Sequence, residues 1–171
     1  MGILKPYRME KISDEFIKEI IENSIGNFST DEYDKLFEAF NKEVDRYYYT
    51  RNSESNLIRI FNSIFNKVLF LRDCLKYPHH IEIIVAISAN SNFLTDVAVR
   101  NTEFLYQLFN PSYLLKDLTA EQLEKEISSG LSGYKSFETK IIYLRIIKNR
   151  IILKIGLNDI LENLELPAIT K

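Results

Sequence analysis

Apolar residues recur along this chain in steps of three and four, the spacing that lines one face of a helix. Ser13 can cap a first helix whose apolar face is Phe16, Ile17, Ile20 and Ile21, and Gly26 is placed to close it. Ser29 and Glu32 form an S-x-x-E capping box for a second helix, with the stripe Tyr33, Leu36, Phe37, Phe40, Val44, Tyr47 and Tyr48. The polar stretch from Thr50 to Asn56 predicts a break. A third long helix follows, with a seam of Leu57, Phe61, Ile64, Val68, Leu71 and Leu75 in alternating steps of four and three. Ile58, Phe65 and Leu69 widen its apolar face, so a helix gripped on two sides is expected. Tyr77-Pro78 ends it, because the residue before a proline is pushed out of helical geometry.

Beyond Pro78 the expected helices shorten, to His80–Ala89, Asn92–Arg100 and Glu103–Phe109, with Pro111 breaking the last. Thr119 and Gln122 form a T-x-x-Q box for a helix through Ile127, and Gly130 to Gly133 read as a flexible connection. The segment Thr139 to Leu157 has two readings. Its runs Ile141-Ile142-Tyr143-Leu144 and Ile151-Ile152-Leu153 suit two strands joined at Lys148-Asn149, but neither run alternates and Lys-Asn is a poor hairpin turn. As a helix, its charges sort into Arg145 with Lys148 and Arg150 with Lys154, and the aliphatic remainder predicts a central, mostly buried helix. The helix is the better reading. The fold expected is all-α, a multi-helix bundle of seven or eight helices with a buried Ile-rich helix near 137–155. Residues 1–78 supply the long early helices and 79–171 the rest, packed together as one compact domain.

Composition narrows the classes. The 171 residues suit one ordinary domain, and five glycines with four prolines leave too little punctuation for many short strands. Twenty-two basic against twenty-four acidic side chains give a net charge of −2. That balance argues against a nucleic-acid binder and against a membrane held by charge. The one cysteine, Cys74, excludes an internal disulfide framework and a multi-cysteine zinc site. No secretory leader is expected from the first residues, and no run of about 18 apolar residues occurs in the sequence. A soluble protein of the reducing cytoplasm is the expectation.

Most chemical constellations are absent. No Gly-rich phosphate loop occurs, and no Asp-x-Asp pair of the kind used in metal-dependent nucleotidyl transfer. Asp31, Glu32 and Asp34 come nearest, but they fall in the first turn of a predicted helix, where acids favour the helix dipole. His79-His80, with Cys74 and Glu82 nearby, is the sole cluster of metal-ligand types, and adjacent histidines point apart on a helix. A turn and helix start is the simpler reading there, and Cys74 reads as a small core filler. Lys140, Arg145, Lys148, Arg150 and Lys154 carry five positive charges without an intervening acid, yet the helical wheel splits them between two sides.

From about His80 onward the chain resembles the N-terminal helical region of glutamine synthetase adenylyltransferases. Ser91-Asn92-Phe93-Leu94-Thr95-Asp96 through Arg100-Asn101-Thr102-Glu103-Phe104-Leu105 is similar to the family's S-x-F-L-x-D…R-x-P-E-x-L. Leu114-Leu115, Leu118 and the capped helix from Thr119 follow in order. The stretch Leu144 to Ile160 is similar to the basic helix L-R-R-F-R-R-R-E-x-L-R-I-A-x-R-D-L, with Arg145, Arg150 and Asp159 on its charged positions and Lys148 and Lys154 as conservative matches. Thr102 departs from a usual proline, Ile151 from a glutamate, and Asn158 from a basic residue.

The resemblance implies an enzyme that moves AMP from ATP onto a tyrosine of glutamine synthetase, in some members removing it. Metal-bound carboxylates of a polymerase-like nucleotidyltransferase domain do this in the family, and the matched segment does not include them. The chain therefore reads as a fragment with no catalytic, cofactor or metal residues of its own. ATP and magnesium belong to the parent enzyme, and Glu162 to Lys171 to a linker. Arg145, Lys148, Arg150 and Asp159 are the candidates for contacts with the downstream nucleotidyltransferase domain, with glutamine synthetase as a further partner. The rival reading is a non-enzymatic helical regulatory module of another nucleotidyltransferase-type signalling protein.

Overall fold

The computed structural model describes residues 12–24, 28–47 and 52–161. The stop placed at Gly26, the stripe residue Tyr48 and the linker from Glu162 to Lys171 lie outside them. Among the described residues there are ten helices and no strand, so the all-α expectation holds with a slightly higher count. The chain divides into two compact units, Met1–Val99 and Arg100–Lys171.

In the first unit, α1 (Asp14–Glu22) starts where Ser13 Oγ accepts from Phe16 N and buries Ile17, Ile20 and Ile21. The capping box of α2 (Thr30–Val44) forms as read: Ser29 Oγ accepts from Glu32 N, and Glu32 accepts from Ser29 N at 2.8 Å. Its stripe delivers Leu36, Phe40 and Val44 to the core.

The expected third helix is two. α3 (Ser53–Ser63) begins inside the stretch read as a break, and α4 (Lys67–Lys76) follows after Ile64 takes an extended conformation. Asn66 is the reason for the restart, since its side chain accepts from Leu69 N at 2.9 Å and so caps α4. The seam survives the break, with Leu57, Phe61, Ile64 and Leu71 buried. The two-sided grip does not: Phe65 is 97% exposed and Leu69 55%, because the bend turns them away from the core.

The centre of this unit is α5 (His79–Asn90), which packs against α2, α3 and α4. From Ile83 to Ala89 every residue is buried, and the polar member of that run, Ser88, donates to the Ile84 carbonyl within the helix. Buried Asn56 reaches from α3 to the Ser88 carbonyl at 3.1 Å and to Asn92 Oδ1 at 2.7 Å, at the start of α6 (Asn92–Arg100). Arg46 ties the end of α2 to α5 through Glu43 and Glu82, and Arg59 pairs with Asp96.

The second unit holds α7 (Thr102–Leu108), α8 (Pro111–Leu114), α9 (Ala120–Ser132) and α10 (Phe137–Ile160). Pro111 opens α8 rather than only breaking α7, as suits a residue without an N–H in a first turn. The connection read at Gly130 to Gly133 is also corrected. α9 runs through Gly130 to Ser132, and the Tyr143 ring of α10 occupies the space that a Cβ at Gly130 would need.

The Ile-rich segment is one 24-residue helix, not a hairpin. Its burial is graded. Ile147, Leu153 and Leu157 are buried, whereas Phe137 is 72% exposed and Ile142, Leu144 and Ile146 lie between 40 and 54%. Burial begins at Ile147 and concentrates toward the C-terminal end of the helix.

Candidate functional site

The polar side chains of α10 separate into two faces. Arg150, Lys154 and Asn158 follow one another at intervals of four and share a face with Tyr143. Arg145, Lys148 and Asp159 lie on the opposite side of the helix and are exposed. The split of the basic residues seen in the helical wheel is thus real. It brings together Arg150 and Lys154 and leaves Arg145 and Lys148 facing outward.

The inward group braces the unit. Arg150 reaches Glu126 of α9 at 2.5 Å, and Tyr143 Oη donates to the Glu126 carbonyl at 3.2 Å. Lys154, 3% exposed, donates to the Lys116 carbonyl and sets its ammonium 4.8 Å above the Tyr113 ring. Asn158, 2% exposed, donates to the Leu114 carbonyl at 2.9 Å. Carbonyls at and just past the end of a helix have no partner within it, so these two side chains complete α8 from outside. Burial pushes the Lys154 amine below its ordinary range, against an opposing pull from Asp117, and burial likewise raises the Tyr113 phenol.

A half-enclosed cavity of about 270 Å³ lies beside these groups, with Tyr113, Asp117, Glu126, Arg150 and Lys154 among its walls. In the sequence Lys154 is one of five bases and Asn158 a departure from the family pattern, and neither is among the contact candidates. Their four-residue spacing from Arg150 was the available signal, but only the position of α8 shows what they reach.

Other sequence candidates resolve into structure. Cys74 is 1% exposed and burial pushes its thiol up, so it is a core filler. His79 and His80 pack edge to face with each other, His80 also against Phe70, while Glu82 takes Arg46. Asp31 pairs with Lys35, and the hydrogen bond from the Ser29 amide holds the Glu32 carboxyl below its usual range. Among the described residues no three His, Cys, Asp or Glu side chains converge, so no donor set there fits a divalent cation. No helix among them is long and apolar enough to cross a membrane.

A family model for glutamate-ammonia ligase adenylyltransferase matches residues 81–171, from within α5 to the last residue. The chain belongs to that family. No curated protein and no solved structure matches it. The family match takes in both faces of α10 and the elements that its inward side chains brace, so the bracing group is part of the adenylyltransferase-related region.

Proposed function

We propose that this chain is a non-catalytic helical region of a glutamate-ammonia ligase adenylyltransferase. It supports a nucleotidyltransferase domain outside these residues, one that moves AMP from ATP, with magnesium, onto a tyrosine of glutamine synthetase. The observation that carries the reading is the family match over 81–171. Two features of the site agree with it. The inward polar groups of α10 are engaged with backbone and with Glu126, and the outward face combines Phe137 and Leu144 with Arg145, Lys148 and Asp159, a mixed apolar and charged surface. That outward face is where the nucleotidyltransferase domain docks. Arg150 is a brace inside the unit instead.

Purified chain, incubated with ATP, magnesium and glutamine synthetase, should leave glutamine synthetase at its unmodified mass. Appreciable adenylylation by the chain alone would end the proposal. The docking face has its own test: Arg145→Glu with Lys148→Glu should weaken binding of a family member's separately expressed nucleotidyltransferase domain by about tenfold or more.

A further inference from the structure

Lys154 presents an uncommon combination. It is 97% removed from water, yet among the described residues it makes no ion pair, donating to a carbonyl and lying over an aromatic face. A buried ammonium is costly unless a counter-charge meets it, and an ammonium has three donors where the Lys116 carbonyl uses one. One helical turn away, the Arg150 guanidinium spends a terminal nitrogen on Glu126, while its Nε is buried with no hydrogen-bond partner. Both cations line the same cavity of about 270 Å³.

The cavity also carries Asp117 and Glu126, and the balance between signs is decided by solvent. Both acids are exposed, and Glu126 is already held by Arg150. Water screens exposed carboxylates far better than it screens a buried ammonium. The unmet charge inside the cavity is therefore positive. Its volume lies just below the range of drug-sized ligand pockets, which suits a small occupant. An arginine beside a lysine is a donor set that recognises the planar or tetrahedral oxygens of a carboxylate or phosphate.

We propose that the cavity between α8, α9 and α10 is a binding site for a small oxyanion, phosphate or carboxylate, held by Lys154 and Arg150. The occupant supplies a close counter-charge to Lys154, which otherwise has only the pull of exposed Asp117, and an acceptor for Arg150 Nε. Binding draws α8, the start of α9 and α10 together, since each contributes to the walls.

The test is titration of the whole chain with sodium phosphate and, separately, sodium succinate, against sodium chloride at matched ionic strength. Calorimetry and backbone amide shifts provide the readouts. Saturable binding with a dissociation constant of about 1 mM or tighter is expected for at least one oxyanion. The shifts should centre on residues 113–126 and 147–158. Phosphate alone, succinate alone or both identifies which oxygen chemistry the site takes. Binding should fall at least about tenfold in Lys154→Met and in Arg150→Gln and stay unchanged in Lys125→Gln, on the exposed side of α9. Effects no larger than those of chloride, or shifts centred elsewhere, overturn the proposal, and the shift map decides the matter even where a cavity variant fails to fold. Undiminished binding in folded Lys154→Met and Arg150→Gln overturns it equally.

Discussion

The two units keep their helices together by different means. In the first, α5 is the hub: seven consecutive residues, Ile83 to Ala89, are buried, and the neighbouring helices bury aliphatic and aromatic side chains of their own, Phe40 and Phe61 among them. In the second, α9 has no buried residue at all, and two of the five buried positions of α10 are Lys154 and Asn158. Apolar burial organises the first unit, at about 1.5–3 kcal/mol for each large side chain. The second unit also buries apolar side chains, Phe104, Leu105, Leu108, Leu153 and Leu157 among them. It adds side chains that reach backbone carbonyls, where each bond contributes about 1 kcal/mol but costs more than that when one buried partner is removed. An Ile-rich sequence therefore does not by itself make a central helix. α5 and α10 are both rich in isoleucine, and the difference lies in the basic residues distributed around α10.

The sharpest way to break this comparison is truncation of one isoleucine from each helix. Ile84→Ala, at a fully buried position of α5, should cost about 2–5 kcal/mol in chemical denaturation. Ile142→Ala, on the exposed first half of α10, should stay within about 0.5 kcal/mol of the parent. Equal losses would show that α10 is as buried as α5 in solution.

A smaller effect is expected at the α9–α10 crossing. Gly130→Ala gains about 1 kcal/mol of helix propensity but forces the Tyr143 ring aside, and overpacking of this kind costs about 1–3 kcal/mol. A net loss near 1 kcal/mol follows from those two opposed effects. In a Tyr143→Ala background the same change should become stabilising. A double-mutant cycle on thermal or denaturant unfolding reads the reversal, and additivity of the two changes would remove the crossing as the reason for the glycine.

The smallest effect is electrostatic. Burial lowers the Lys154 amine in the folded chain, so between its folded value and its ordinary value of 10.5 the unfolded chain binds more protons. Stability then rises with pH through that interval, and the penalty is fully present below it. Just below pH 10.5 the parent should therefore gain stability relative to Lys154→Met as pH rises, read as the difference between the two in chemical denaturation. The raised tyrosines, Tyr113 among them, act in the opposite direction from about their ordinary value of 10.0, because the unfolded chain loses their protons first, and comparison with the variant cancels them.

Much of the helix map was legible because capping is local. Ser13, Ser29 with Glu32, and Thr119 each close a hydrogen bond to a backbone N–H three residues on, and α6 spans the very residues expected of it. The restart at Asn66 was hidden by a seam that continues in register across it, so that periodicity saw one helix where a cap made two. Gly130 carried a turn signal that the Tyr143 ring converts into a packing site, and no local rule contains that ring. The separation of Arg145 and Lys148 from Arg150 and Lys154 was visible on the wheel, and the direction of each face was not.

The sequence by itself determined that the chain is helical, where most helices begin, and which family it joins, because caps, stripe spacing and motif order are properties of neighbours along the chain. Only the tertiary structure decided that α5 is the core helix of its unit, that half of α10 stays in water, and that Lys154 and Asn158 finish α8. Burial and charge compensation depend on which surfaces meet in space, and side chains 38 and 44 residues from the carbonyls they reach leave no trace of that meeting in local order.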